Sequence, residues 1–176
     1  MQSSLSDIEL WNNAMQGDKE AFGNIFYRHY PLLFQFGLKI CAERETLEDA
    51  IQELFTELWQ NKKNTELQSV KAYLVQSLKY KLYKVFRKER QQNNVEIGEE
   101  LFELSPETFL VRQEENKEQA LKILEALNKL PPRQKEIVYL KIYKGLSYDD
   151  ISELMNIKYQ VVRNLLCQAL KTMRSK

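Results

Sequence analysis

Arg163, Asn164, Gln160 and Gln168 carry side chains that can pair with nucleobase edges, arginine bidentately with guanine and the amides with adenine. All four lie in one stretch near the end of the chain, KYQVVRNLLCQALKTMR, where Lys158, Tyr159 and Lys171 stand among them. No acidic residue occurs from Asn156 onward. Val162, Leu165, Leu166, Ala169, Leu170 and Met173 recur at helical spacing, so the stretch reads as an amphipathic helix with a basic, amide-rich outer face. Such a face suits the major groove of duplex DNA, although two amphipathic helices with a polar side also describe any small helical bundle.

The preceding segment GLSYDDISELMN supplies what would position that helix. Ser147 and Asp150 have the spacing of a capping box, which starts a helix at about Tyr148. Ile151, Leu154 and Met155 give it an apolar face, and Asn156, which tolerates the left-handed conformation, stops it. A short capped helix, a tight turn and a longer polar-faced helix together make a helix-turn-helix.

Other chemistry is poorly supplied. Cys41 and Cys167 have no Cys or His neighbour at metal-ligand spacing, and the lone His29 beside Arg28 reads as structural or exposed. There is no nucleophile with a base at recognisable spacing and no phosphate-binding glycine loop, so no catalytic residue, cofactor, metal or small-molecule substrate is expected. The opening MQSSLSDIEL lacks a basic and apolar signal segment and no apolar run is long enough to span a bilayer, which reads as a soluble, cytoplasmic protein without membrane insertion.

The 176 residues allow one domain or two small ones. The net charge of +1 hides a strong pattern: Lys62 to Arg90 is basic but for Glu66 and Glu89, and Glu96 to Glu118 is acidic but for Arg112 and Lys117. With few Gly and Pro and little β-branched alternation, helix is the dominant period. The expected architecture is all-α: helical domain 1–92, acidic linker 93–115, and domain 116–176 ending in the helix-turn-helix.

In chain order, Ser6 and Glu9 form a capping box for a first helix burying Ile8, Leu10, Trp11 and Met15, with Gly17 as its stop and Asp18 as the next cap. The aromatic-rich run from Ala21 to Ala42 is core material in which Pro31 is expected to break or kink a helix near Tyr30. Thr46 and Asp49 suggest a capping box for a helix to Gln60. Its apolar face holds Leu47, Ala50, Ile51, Leu54, Phe55, Leu58 and Trp59; its other face holds Glu48, Asp49, Gln52, Glu53, Thr56 and Glu57, either simply solvated or a protein-docking surface.

After the polar loop Asn61 to Ser69, a helix from about Val70 to Glu89 buries Leu74, Leu78 and Leu82 and turns Lys71, Lys79, Lys81, Lys84, Arg87, Lys88 and Arg90 outward with Tyr80 and Tyr83 among them. Cations interleaved with rings suit a single nucleic-acid strand; the rings can equally well just pack. Gln91 to Glu103 reads as linker, Ser105 and Pro106 as the start of a helix whose later stripe is Leu121, Leu124, Leu127 and Leu130, and Arg133 to Lys144 as a further helix closed by Gly145.

The sequence DAIQELF, a basic and aromatic helix, an acidic linker, and then LPPRQ and GLSYDDIS in this order resemble an extracytoplasmic-function sigma factor of bacterial RNA polymerase, from Ala21 to Arg174. The resemblance implies a factor that directs core polymerase to promoters and helps melt the minus-ten element. Its implied partners are the polymerase clamp and flap, promoter DNA and, in many members, an anti-sigma factor. It assigns Asp49, Gln52, Glu53 and Thr56 to the clamp. Lys79, Tyr80, Lys81, Tyr83, Lys84, Arg87 and Lys88 fall to the minus-ten strand, and the loop with Asn61, Lys62, Lys63 and Asn64 to a flipped-out base. Lys158, Tyr159, Gln160, Arg163, Asn164, Gln168 and Lys171 fall to the minus-thirty-five element. Leu165, and Cys167 with Gln168, stand where relatives often carry a basic residue and a His-Arg pair, so base preference there is not expected to follow the common pattern. Two other readings fit the residues alone: a helix-turn-helix regulator acting without polymerase, and a helical adaptor that binds only protein.

Overall fold

The computed structural model describes residues 5–62, 66–92, 102, 104 and 117–174, and for 88–92, 117, 119 and 120 the backbone alone. The described elements are all helical, and the chain divides into two compact units, Met1–Ile97 and Gly98–Lys176.

In the first unit, α1 (Asp7–Met15) starts at a complete capping box: the Ser6 hydroxyl accepts from the Glu9 N–H and the Glu9 carboxylate accepts from the Ser6 N–H at 2.8 Å. Gly17, at φ +104°, turns the chain where a side chain would be strained. Asp18 then caps α2 (Lys19–Gly37) by accepting from the N–H groups of Glu20 and Ala21. The sequence predicts a break or a kink near Tyr30; the helix is continuous through Pro31. Proline inside a helix costs about 3 kcal/mol. Pro31 sits on the exposed side, while Ile25, Leu33 and Phe36 on the opposite side are completely buried at about 1.5–3 kcal/mol each, so packing overrides the local penalty.

Helix α3 (Arg44–Asn61) begins earlier than expected. Thr46 is inside its first turn and donates to the Glu43 carboxylate at 2.6 Å, so the Thr46–Asp49 capping box does not form. The expected stripe is otherwise in place, with Leu47, Ala50, Ile51, Leu54 and Phe55 buried and Leu58 and Trp59 half-buried. Helix α4 (Val70–Gln92) closes the unit by packing Leu74, Leu78 and Leu82 against the others.

Gly37 lies so close to Leu47 that a Cβ there would overlap its buried side chain. Overpacking of this kind costs about 1–3 kcal/mol, more than the propensity alanine adds at a helix end. Gly37→Ala is therefore expected to lower the urea midpoint of the full chain; an unchanged midpoint would mean that α2 and α3 can part without cost.

His29 is buried, with Nε2 3.1 Å from an Asp7 carboxylate oxygen. Burial lowers its pKa below the ordinary 6.5; Asp7 opposes this, and Lys71 and Arg28 add to it. The unfolded chain thus binds a proton the folded one rejects, so this contribution to stability is present above the ordinary histidine pKa and is lost as pH falls. Between about pH 7.5 and about pH 5.5 the wild-type chain is expected to lose stability that His29→Gln does not lose. Parallel pH profiles for the two would show that another group is responsible.

In the second unit, α5 (Lys117–Asn128) buries Leu124 and Leu127, with Leu130 following, but leaves Leu121 46% exposed. Ser105 and Pro106 lie outside the described residues. Phe102 and Leu104, inside the segment 93–115 read as linker, are core residues here: the Phe102 ring meets Tyr139 edge-on at 5.4 Å, and Asn128 donates to the Leu104 carbonyl. Helix α6 (Pro132–Val138) passes into a π-helical turn, Tyr139–Tyr143, where the Lys144 N–H reaches the Tyr139 carbonyl. The wider turn leaves Ile142 55% exposed. Gly145, at φ +64°, leads into α7 (Tyr148–Met155) and α8 (Tyr159–Arg174).

Candidate nucleic-acid interface

The helix-turn-helix is built as its residues dictate. Ser147 accepts from the Asp150 N–H at 3.0 Å while Asp150 accepts from the Ser147 N–H, which fixes the start of α7. Asn156 takes the left-handed conformation at φ +51°, and the Ser152 hydroxyl donates across the turn to the Ile157 carbonyl at 2.6 Å. Ile151 and Leu154 of α7 and Val162, Leu166 and Ala169 of α8 are buried. Lys158, Tyr159, Gln160, Arg163, Asn164, Gln168 and Lys171 are all exposed. Gln160 donates to the Asn164 amide oxygen at 3.1 Å, so two residues that can read bases are held side by side. The Tyr159 ring leans edge-on against Tyr148 at 5.5 Å, and the Lys141 ammonium covers the other partner of that pair at 4.4 Å. Gln134 donates to the Gln168 amide oxygen at 3.5 Å, a polar tie of α8 to α6.

In the first unit, Asp49, Gln52, Glu53 and Thr56 line one shallow depression of about 240 Å³ on α3, with Glu57 at its edge. The residues assigned to the clamp thus share one surface. Beside it, a groove of about 670 Å³ between α2 and α3 shares Gln52 and Thr56 with the depression. Its wall is aromatic: Phe22 stands 5.0 Å from Trp59 and Phe26 stands 4.9 Å from Phe55.

The minus-ten set divides. Tyr80 is 59% exposed, Lys84 and Arg87 are exposed, and Lys79 and Tyr83 are half-buried with the ammonium 5.7 Å from the ring. Lys63, Asn64 and the Lys88 side chain lie outside the described residues. Lys62 is exposed at the end of α3 and places its ammonium 4.0 Å from the Trp59 ring.

Lys81 does not stand out into solvent as its spacing suggested. Its side chain is 14% exposed and its ammonium lies 2.8 Å from Glu57 and 3.2 Å from Glu53. Burial alone would lower its pKa; hydrogen bonds and charge from Glu57 and Glu53 outweigh this and hold it above the ordinary lysine value. The helical period assigns Lys81 to the polar side of α4 correctly, but that side faces α3 at this level, which periodicity on one helix does not reveal.

Asn61, Ser77, Tyr80 and Lys84 meet around a cavity of about 390 Å³ between α1, α3 and α4. Trp11 and Tyr73 line it too, their rings edge-on at 5.4 Å. The Trp11 indole N–H is buried and has no hydrogen-bond partner among the described residues. Nothing in the sequence singled out Trp11, which has the spacing of a core residue and is one.

The second unit thus presents a helix with a cationic, amide-bearing outer face, and the first unit carries an acidic depression beside a cavity with the exposed ring of Tyr80 and the exposed cation of Lys84 in its lining. Residues 25–92 match the family Sigma-70 region 2, and residues 120–173 match Sigma-70, region 4. The ECF RNA polymerase sigma factor BldN of Streptomyces coelicolor is 24% identical over 94% of this chain, which spans 64% of that relative's length. The ECF RNA polymerase sigma-E factor of Haemophilus influenzae is 24% identical over 100% of this chain and 97% of its own length. The fold is similar to that of CnrH, solved in complex with the cytosolic domain of CnrY, at TM-score 0.65 and 16% identity over 96% of this chain and 95% of that one. It is also similar to that of the sigma factor RpoE of Bartonella quintana, solved with the anti-sigma factor NepR, at TM-score 0.62 and 20% identity over 89% of this chain and 96% of that one. The chain belongs to the extracytoplasmic-function sigma factors. No described helix is long and apolar enough to cross a membrane.

Proposed function

We propose that this chain is a non-catalytic specificity subunit that brings core RNA polymerase to a set of promoters and holds the melted minus-ten strand. The observation that carries this reading is the adjacency, within the first unit, of a polar docking depression (Asp49, Gln52, Glu53, Thr56) and a cavity with the exposed ring of Tyr80 and the cation of Lys84 at its mouth. A regulator working without polymerase has no use for the first, and a protein-only adaptor has none for the second.

In this reading a basic, amide-rich surface of the polymerase clamp meets the depression. A base flipped out of the non-template strand enters the α1–α3–α4 cavity, where Tyr80 offers a stacking face and Ser77 and Asn61 offer hydrogen bonds. Extrusion costs a few kcal/mol, and stacking on an aromatic face is worth about 1–3 kcal/mol per base, so polar contacts must supply the rest. Exposed Lys84 and Arg87 track the strand's phosphates. The outer face of α8 reads the minus-thirty-five element, with domains 1–92 and 116–176 and the segment 93–115 between them, of which Phe102 and Leu104 pack into the second unit. An anti-sigma partner, of the kind NepR is to RpoE, would lie in the aromatic α2–α3 groove. Because Gln52 and Thr56 belong to both groove and depression, it would compete with the polymerase there.

Run-off transcription with purified core polymerase, on DNA from upstream of the chain's own gene, tests the reading. A discrete transcript that depends on the chain is expected. DNA binding without any such transcript, and without retention of core polymerase, would leave the polymerase-independent regulator.

A further inference from the structure

Glu57 lines both the docking depression and the cavity, and Lys81, which lines the cavity, is the side chain it holds. Glu53 on the depression side holds the same ammonium. The two sites of the proposed function, on which this inference rests, are therefore separated by a three-residue charge cluster. Both carboxylates are more than half exposed, at 67% and 59% of the side chain, whereas Lys81 is 14% exposed. A cationic group arriving from outside can reach Glu53 and Glu57, but a phosphate cannot draw on Lys81 while they hold it.

We propose that Lys81 is a positioning residue that couples the two sites. In the free chain Glu53 and Glu57 sequester its ammonium. A cationic group of the polymerase that docks in the depression takes over these carboxylates, and the released ammonium swings to the cavity side to join Lys84 on the strand's phosphates. The chain alone then binds single-stranded DNA with one cation fewer than the docked chain does, and by linkage DNA in the cavity strengthens docking by the same factor. The carboxylate ends of both pairs are more than half exposed, so a docked cation can reach and compete for them.

The experiment uses the full chain and a mixed-sequence single-stranded 12-mer of about the length one small domain can cover, measured by fluorescence anisotropy over a salt series. Glu53→Gln with Glu57→Gln mimics the docked state. It is expected to tighten DNA binding about fivefold and to steepen the log–log salt slope by about 0.7, the increment for one added phosphate contact on a single strand. Adding Lys81→Gln to that pair is expected to abolish the gain in both affinity and slope. A gain that survives Lys81→Gln would reduce the effect to lost repulsion from two carboxylates and overturn the coupling. Unchanged affinity in the Gln pair would overturn it as well, with the minus-ten reading intact. Acetylation of Lys81 relative to Lys84, read by mass spectrometry without DNA, is expected to rise severalfold in the Gln pair. A constant ratio there would also overturn the coupling. If every variant, wild type included, fails to bind the 12-mer while Lys81 still becomes reactive, the minus-ten reading itself falls and the coupling with it.

Discussion

Replacing Asp49 and Gln52 together by alanine is expected to weaken binding to core RNA polymerase about thirtyfold, close to 2 kcal/mol. Both side chains are exposed on α3 and line the docking depression, on the side away from Leu47, Ile51 and Leu54, so the helix and its buried face lose nothing. A truncated surface charge on an uncomplexed protein changes stability by at most about 0.5 kcal/mol. At the centre of an interface the same truncation strands the partner's cation and amide without water, and the penalty is several times larger. Asp49 and Gln52 are the right pair because Glu53 has a second duty in holding Lys81, and its loss would alter the DNA surface at the same time. The measurement is a titration of labelled chain with core polymerase, with helix content followed by circular dichroism and the exposed Glu45→Ala, in the first turn of α3, as the control. Equal affinity for the double variant and the control would remove the depression from the interface.

The elements that were legible in the sequence are those whose pattern is local. Capping boxes at Ser6 and Ser147 form because a hydroxyl and a carboxylate three residues on satisfy each other whatever the rest of the chain does. In the stripe of α8, Val162, Leu166 and Ala169 are buried as their period dictates, while Leu165, Leu170 and Met173 at its margins are half-buried. Where the sequence misled, a neighbour in space decided. Thr46 resembles a cap, but Glu43 and Arg44 extend the helix past it. Pro31 resembles a break, but three buried side chains on the far side hold the helix together. Lys81 resembles a solvent-facing cation, but α3 brings two carboxylates to it. Phe102 and Leu104 sit among amides and acids that read as linker, and only the fold shows Tyr139 and Asn128 waiting for them. The cavity was the least visible of all, since α1, α3 and α4 each contribute to it and no one of them carries its signature.

Arg163→Ala is expected to lower affinity for the cognate minus-thirty-five duplex by about 1–3 kcal/mol, up to a hundredfold, and to cost far less on scrambled DNA. Lys171→Ala is expected to weaken both duplexes about equally. The difference comes from position on α8. Arg163 is exposed in the first half of the helix, the part that enters the groove in a helix-turn-helix, and its neighbours there are the hydrogen-bonded amides of Gln160 and Asn164. Lys171 is exposed two turns further on, about 12 Å along the axis at 1.5 Å per residue, where the proposed reading has it reach only backbone phosphate. A phosphate contact carries no sequence information, so its loss reduces the salt slope and leaves the ratio of cognate to scrambled binding alone. Exposed Cys167 and half-buried Leu165 flank the region without a cation, so Arg163 is the one guanidinium in the first half of α8. That concentrates guanine reading on a single side chain and makes the expected loss of discrimination large. Both variants are compared with wild type on both duplexes at one fixed salt concentration. Equal losses on the two duplexes for Arg163→Ala would move Arg163 to the phosphate class and leave Gln160 and Asn164 as the residues that read the sequence.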